Sequence, residues 1–327
     1  MAPAYPDDKT AKGPGVDIDQ RTHQADKDGK FRRQSSSFRD VISVDHPKFR
    51  PEKGRYVLYV NSGCPWAHRT LLMRKLKGLE EIIDVVFLHW ALGEKGWYFK
   101  NEGESVAKDP YYGYTLLREF YFKADPSYDK RFTVPVLWDL KHETIVNNES
   151  SEIIRIFNTA FNDLLPPAKA AIDVYPEKLR GEIDQVNEWV YNKVNNGVYK
   201  TGFATTQEAY DENVYPLFES LGRLEKMLSD GREFVMGSKL TDVDIRLYPT
   251  IVRFDAAYFT LFRCNIKMIR YGYPNLHKWL LHLYYDLPEI FKATTFLEQL
   301  KKGYASTRCG ITPAGPIPLI MEREAAL

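Results

Sequence analysis

The 327-residue chain carries 45 Lys and Arg against 44 Asp and Glu, and this net charge of +1 disfavours a protein that binds nucleic acid or acidic substrates through bulk charge. With 44% hydrophobic and 14% aromatic residues it has ample apolar surface for a core, which excludes disorder throughout, and its length favours about two domains. The longest apolar run, residues 82–92, is interrupted by Asp84 and His89, so we expect no membrane-spanning segment.

Two further features of the composition limit the class of protein. The amino-terminal sequence has no apolar signal core and is too rich in aspartate for a mitochondrial presequence, so we expect a cytoplasmic protein. Cys64, Cys264 and Cys309 are too few and too widely spaced for a disulfide framework or a multi-thiolate metal site, and we expect no metal. The 21 tyrosines, more than half of them after residue 170, exceed what core packing requires.

Taken in chain order, residues 1–45 are polar and predict an extended arm that Phe31 and Phe38, in FRRQSSSFRD, anchor to a folded surface. The next segments predict a βαβ unit, a long irregular connection and a ββα unit. These segments are a strand at 55–60, a helix at 65–79, a strand at 82–90, a connection at about 91–131, strands at 133–139 and 143–147, and a helix at 150–161.

Beyond the Pro166-Pro167 break only helical patterns remain, at 176–196, 207–230, 242–262 and 274–302. The sequence therefore predicts an α/β domain at 46–165 followed by an all-α domain at 166–327. Thr241 and Asp244 have the spacing of a helix capping box, which explains this acidic residue without a catalytic role.

Cys64 lies where the first strand passes into the first helix, in the segment SGCPWA. We predict that Cys64 is the N-cap and Pro65 the first helical residue, so that free amides and the helix dipole favour a nucleophilic thiolate. The alternative is a small buried apolar residue, the commonest fate of a free cysteine.

The fourth position of this motif is Ala67, where a dithiol oxidoreductase has its second cysteine. A mixed disulfide on Cys64 then needs an external thiol for its release, and glutathione is the expected co-substrate. Cys264 and Cys309, in the helical half, are less favoured as distant resolving thiols.

The same half of the chain offers a place for glutathione. A cis peptide between Val134 and Pro135 would present the Val134 backbone to an extended peptide. Ser150 opens a helix suited to the γ-glutamyl carboxylate, and Glu149 suits its ammonium group. Arg131 and Trp97 are placed to close over the peptide. Taken alone, Ser150 also fits a simple helix cap and Trp97 a packing aromatic.

These motifs resemble the Xi class of glutathione transferases, the glutathionyl-hydroquinone reductases, which combine a thioredoxin-like domain with an all-helical one. The resemblance runs through FRRQSSSFRD (31–40), RYVLYVNSGCPWAHRTLLMRKLKGLE (55–80), GWYF (96–99), RFTVPVLWD (131–139), IVNNESSEIIR (145–155), NNGVYKTGFA (195–204), LTDVDIRLYPTIVRFDAAY (240–258) and YPNLHKWL (273–280). It implies reductive deglutathionylation of a glutathionyl-hydroquinone through Cys64. It also implies glutathione contacts and a homodimer. The implied contacts are Trp97, Arg131, Val134, Glu149 and Ser150.

The resemblance also gives the tyrosine excess a role, because Tyr199, Tyr258 and Tyr304 match tyrosines that line the hydroquinone pocket. Such side chains stack on an aromatic ring, hydrogen-bond its hydroxyls and can supply a proton, although packing between helices is the alternative. The tail departs from the family pattern at residues 311–318 and at Arg308, so we expect a tail conformation of its own there.

Two other functions stay open. An omega-like thiol transferase or dehydroascorbate reductase would also use one thiol and glutathione, in a pocket without this tyrosine set. A non-catalytic carrier of aromatic ligands, or a docking module, would not need the complete cysteine motif. Nucleic-acid binding is weaker still, because no basic stripe with interleaved aromatic residues occurs.

Overall fold

The computed structural model describes residues 25–307. The amino-terminal half is built on a four-stranded mixed sheet in the order β2-β1-β3-β4. The strands are β1 (Tyr56–Asn61), β2 (Ile83–Leu88), β3 (Val136–Asp139) and β4 (Thr144–Asn147). β1 is parallel to β2 and antiparallel to β3, which is antiparallel to β4. Every residue of β1 is buried, as expected of a central strand covered on both faces.

Three helices accompany this sheet, and α1 packs extensively against α3. They are α1 (Pro65–Lys77), α2 (Arg118–Ala124) and α3 (Ser150–Thr159). α1 ends because Gly78 adopts a left-handed conformation (φ 71°), from which its amide reaches the carbonyls of Arg74 and Lys75. The strand-helix-strand unit predicted from the sequence is thus confirmed.

The described residues from 166 to 307 contain helices and no strand. The α-helices are α4 (Pro167–Ala170), α5 (Arg180–Trp189), α6 (Gly197–Gly202), α7 (Gln207–Met227), α8 (Asp242–Arg253), α9 (Phe259–Leu261), α10 (Ile269–Gly272), α11 (Pro274–Asp286) and α12 (Leu297–Thr307). Two π-helical segments, Val190–Asn195 and Phe254–Tyr258, connect α5 to α6 and α8 to α9. The fold class, a thioredoxin-like domain followed by an all-helical one, is confirmed. The domain limits at residues 45 and 165 stay predictions.

The described part of the arm lies along both halves of the molecule. Phe38 packs on Tyr121 and Tyr128 of the sheet half, with ring centroids 5.9 Å apart in each case, while Phe31 packs on Tyr199 and Phe203 of the helical half. The two aromatic anchors predicted from the sequence are therefore confirmed. Residues 1–24 of the predicted arm lie outside the described residues.

Three local predictions were wrong. The connection at 91–131, predicted to be irregular, contains α2, because Phe120 and Tyr121 give the last part of this connection a buried apolar face. The third strand begins at Val136 rather than 133, since Pro135 has no N–H to donate to a ladder. The helix expected at 274–302 is interrupted between Asp286 and Leu297, just where Pro288 follows α11.

Buried polar contacts join the two halves. Asp242, which is fully buried at the start of α8, accepts hydrogen bonds from Arg155 of α3 and Arg246 of α8, both at 3.1 Å. The predicted capping box is also confirmed, since the Thr241 amide donates to the Asp244 carboxylate at 3.0 Å. None of the described helices is long and apolar enough to cross a membrane.

Candidate active site

Cys64 is the N-cap of α1 and Pro65 its first residue, as the sequence predicts. The turn before it is held by Asn61, whose side-chain oxygen accepts from the amides of Gly63 (2.8 Å) and Cys64 (3.0 Å). The half-buried Cys64 sulfur lies 3.7 Å from the Val134 carbonyl oxygen, to which the thiol donates. The turn thus places the sulfur against the segment predicted to receive glutathione.

The net effect of this environment on the thiol differs from the prediction. Burial raises the pKa of Cys64 above its ordinary value, while hydrogen bonding by the backbone amides of Ala67 and Trp66 and the charges of Arg253 and Arg33 lower that pKa. The helix-start amides do favour the thiolate, as expected, but loss of water around the buried anion outweighs them.

Two of the segments predicted to bind glutathione contact the start of α1, where Val134 lies against Cys64 and Ser150 against Arg69. The Val134–Pro135 peptide bond is cis, as predicted. Ser150 is buried as the first residue of α3, and its hydroxyl accepts from the Arg69 guanidinium at 3.4 Å. The cap of α3 is instead Glu149, whose carboxylate accepts from the Ser151 amide at 3.1 Å, so the reading of Ser150 as a simple cap was wrong.

The remaining predicted contacts are partly exposed, and the arm touches two of them. The Arg131 amide donates to the Gln34 side chain at 3.3 Å, and the Ser36 hydroxyl donates to Glu149 at 3.1 Å. Trp97 is half-buried, and its carbonyl accepts from an amide of the loop before α2. Whether these side chains contact glutathione stays a prediction.

The three tyrosines singled out in the sequence meet in one cluster. The Tyr304 hydroxyl lies 2.7 Å from that of Tyr199 and 2.9 Å from that of Tyr258, and burial raises the pKa of all three phenols. The Tyr199 ring packs on that of Trp66, two residues after Cys64, with centroids 6.2 Å apart, and the Cys64 charge also raises the pKa of Tyr199. The three hydroxyls are therefore protonated at neutral pH and can donate in sequence.

Close backbone approach makes this cluster possible. A side chain added at Gly303 would lie 2.9 Å from the Trp90 carbonyl oxygen, so only glycine allows α12 to approach the loop after β2 this closely. Tyr304 is the residue directly after Gly303 in the sequence. Tyr258 lies in a π-helical segment, a local widening that often occurs at functional sites.

Comparison with known proteins identifies the family of the chain. Family models for the glutathione S-transferase N-terminal and C-terminal domains match residues 63–160 and 207–282. The chain is 53% identical to glutathione S-transferase omega-like 2 of Schizosaccharomyces pombe, over 91% of this chain and 96% of that protein. It is 47% identical to glutathionyl-hydroquinone reductase YqjG of Escherichia coli, over 89% of both chains.

Solved structures give the class. The glutathione transferase Xi from Phanerochaete chrysosporium superposes with a TM-score of 0.88 at 52% identity, covering 93% of this chain and 98% of that chain. The chain belongs to the Xi class of glutathione transferases. The Xi transferase ECM4 of Saccharomyces cerevisiae, solved in complex with glutathione, superposes on this Xi-class chain with a TM-score of 0.83 at 43% identity, over 88% and 99% of the two chains. The protein is accordingly an enzyme of the glutathione transferase type.

Sequence analysis of this Xi-class enzyme missed the cations around the site. Arg33, from the arm, lies over the Trp66 ring at 4.5 Å, and Arg69 lies over the same ring at 4.4 Å. The Arg33 Nε donates to Asn196 at 2.7 Å, and burial lowers the pKa of Arg69 to about 9. Arg33 lies in FRRQSSSFRD, a motif that was interpreted only as an anchor of the arm. The motif therefore contained this cation but did not indicate its contact with Trp66.

A buried polar chain behind Cys64 was missed as well. Arg253 Nη1 donates to His68 Nδ1 at 3.0 Å, and His68 Nε2 lies 3.0 Å from the Thr294 hydroxyl. Burial and the Arg253 charge hold the pKa of His68 well below its usual value, so this imidazole is neutral. Both ring nitrogens are occupied, and His68 is therefore not available as a base for the thiol. Among the described residues, no group of acidic, His or Cys side chains forms a metal site.

Proposed function

We propose that the protein is a glutathionyl-hydroquinone reductase that uses Cys64 as its single catalytic thiol. The observation that carries this proposal is the isolation of that thiol. Cys64 begins α1, Ala67 occupies the position of a resolving cysteine, and Cys264 is fully buried. Cys309 lies outside the described residues. The name of the E. coli relative supports this substrate class.

The proposed reaction has two steps. The Cys64 thiolate attacks the sulfur of the conjugate, the bond between that sulfur and the aromatic carbon breaks, and its electron pair stays on the ring carbon, which takes a proton. Cys64 is then disulfide-bonded to glutathione. A second glutathione thiolate attacks the glutathione sulfur of this disulfide, which releases glutathione disulfide and restores Cys64. The ring carbon is reduced by two electrons, and the glutathionyl group of the conjugate and one free glutathione are together oxidised to glutathione disulfide.

We assign the two parts of the substrate to the two sides of Cys64. Glutathione would contact the side formed by Trp97, Arg131, Val134, Glu149 and Ser150. The glutathione complex of the ECM4 relative supports binding of this peptide in the class. The aromatic ring would face Tyr199, Tyr258 and Tyr304, whose connected hydroxyls can deliver the proton that the ring carbon needs.

A single assay tests the proposal. Wild-type and Cys64→Ser proteins are incubated with glutathionyl-menadiol and glutathione, and free hydroquinone and glutathione disulfide are measured by chromatography. We expect equal amounts of both products from the wild type and a loss of at least about a thousandfold with serine, whose hydroxyl is a much weaker nucleophile. An intact conjugate with the wild type, or turnover retained by the serine variant, would overturn the proposal.

The second candidate is an omega-like thiol transferase or dehydroascorbate reductase, which the name of the S. pombe relative favours. Glutathione-dependent reduction of dehydroascorbate, measured in parallel, separates the two. A rate that exceeds the rate on the aromatic conjugate would support the second candidate. We further propose a cytoplasmic homodimer. Sedimentation would check the dimer, and fluorescence microscopy of a tagged protein would check the compartment.

A further inference from the structure

A buried cation lies directly behind the Cys64 turn. Arg253, the last residue of α8, is only 1% exposed. Its Nε donates to the Gly63 carbonyl at 3.1 Å, and its Nη1 donates to His68 Nδ1 at 3.0 Å and to the Pro249 carbonyl at 2.9 Å. A residue of the helical half thus holds the residue before Cys64 and a residue one turn into α1.

All three acceptors of Arg253 are neutral. A guanidinium has no acceptor atom, so His68 must accept at Nδ1 and carry its proton on Nε2 toward Thr294, whose hydroxyl donates to the Ile290 carbonyl at 2.7 Å. Buried Arg246, by contrast, pairs with Asp242 at 3.1 Å. Within residues 25–307, no carboxylate forms an ion pair with Arg253.

A buried charge without a counter-ion is unfavourable. Several titratable groups feel the Arg253 charge, namely Cys64 at the turn, His68 on α1, Tyr248 on α8, Tyr258 in the π-helical segment and Tyr304 on α12. His68 becomes a cation on ionising, and burial strongly disfavours ionisation of the three phenols. Among these groups, the Cys64 thiol is the one whose anion the backbone amides of Trp66 and Ala67 also stabilise, and the exposed Arg33 cation reaches it as well.

We propose that Arg253 is a positioning residue for the reaction: bound to Gly63 and His68, it holds the Cys64 turn and is the counter-charge of the Cys64 thiolate. This inference rests on the proposed role of Cys64 as the nucleophile. It also means that a charged residue of the helical half supports the reactivity of a thiol in the sheet half.

The test compares two substitutions that both keep a hydrogen-bond donor but differ in charge. Alkylation of Cys64 by iodoacetamide is followed from pH 6 to 10 in the full-length wild type and in the Arg253→Gln and Arg253→Lys variants, with Cys64→Ser as the blank for the other thiols. We expect alkylation at pH 8 to slow about tenfold with glutamine and less than about threefold with lysine, because each pH unit changes the thiolate fraction tenfold.

Equal slowing by both substitutions would show a purely structural role and overturn the proposal. Circular dichroism checks that each variant is folded. If the glutamine variant does not fold, Arg33→Gln still provides a decision, since Arg33 is exposed and its charge has the smaller effect on Cys64. If alkylation of the Arg33→Gln variant slows less than about threefold at pH 8, Arg253 is supported as the counter-charge. If it slows about tenfold, the counter-charge is assigned to Arg33. Alkylation needs no hydroquinone, so the result is independent of the proposed substrate.

Discussion

The two sides that we propose for the Cys64 site are constructed differently. The β3–α3 wall, formed by Arg131, Val134, Glu149 and Ser150, comes from two adjoining segments within 20 residues of sequence. The tyrosine wall, formed by Tyr199, Tyr258 and Tyr304, comes from three helical elements, with Tyr199 and Tyr304 separated by 105 residues. A wall formed by the segment before β3 and the start of α3 depends mainly on residues close to it in sequence. A wall assembled from separate helices depends on how the whole helical half packs against the sheet half.

Removing the buried Asp242 carboxylate, which joins the two halves, should have the largest effect on stability. Asp242→Ala leaves Arg246 buried without its partner, and we expect a loss of about 3–5 kcal/mol in the free energy of unfolding. Asp230→Ala is the matched control, because its ion pair with Arg232 is exposed and solvent screening leaves that pair little effect on stability. Urea denaturation measures both. Similar losses for the two variants would contradict the role of Asp242 as a buried joint.

The second-largest effect is a loss of folding stability as the pH falls. His68 has a folded-state pKa well below its unfolded value, so the unfolded chain binds more protons as the pH falls below about 6.5. The stability contributed by neutral His68 is fully present above that value and is lost below it, and we expect a loss of about 2 kcal/mol between pH 7 and 5.

The same urea denaturation measures this loss at the two pH values. His68→Gln should remove most of that pH dependence, whereas His142→Gln, at an exposed position, should not. If the free energy of unfolding depends on pH as strongly in the His68→Gln variant as in the wild type, the imidazole titrates normally in the folded protein.

The third effect tests the β3–α3 wall alone. Ser150→Ala removes a buried hydroxyl proposed to bind a carboxylate, and we expect glutathione binding to weaken about tenfold, or ~1.4 kcal/mol. Calorimetric titration with glutathione provides the measurement. Ser151→Ala is the control, since that hydroxyl donates to Glu149, and its effect should stay below about threefold. A larger loss with Ser151→Ala would place the anion site one residue further on.

The smallest effect tests the tyrosine wall alone. Tyr304→Phe removes the central hydroxyl of the cluster, and we expect kcat/KM for glutathionyl-menadiol to fall about fivefold, or ~1 kcal/mol, with glutathione affinity unchanged. Tyr271→Phe, at a position that is 65% exposed, should leave both quantities unchanged. A change in glutathione affinity in the Tyr304 variant would show that the two walls are not independent.

The sequence by itself determined the features that depend on neighbouring residues. A strand followed by Cys64 and Pro65 specifies an N-cap cysteine, and the absence of a second thiol at Ala67 is visible without a structure. The capping box at Thr241 and the cis peptide before Pro135 were predicted on the same local grounds and are present. The β3–α3 wall could be predicted because its segments adjoin in sequence.

Only the tertiary structure decided how distant groups act on the thiol. No local pattern relates Arg253 to Gly63, which lie 190 residues apart, or brings Arg33 of the arm over Trp66. The direction of the Cys64 pKa also depended on packing, because burial is a property of the assembled fold and here outweighs the amides that the helix start supplies. Local sequence thus predicted the N-cap cysteine and the segments proposed to bind the peptide, whereas long-range packing set the charge around the thiol and brought the three tyrosines together.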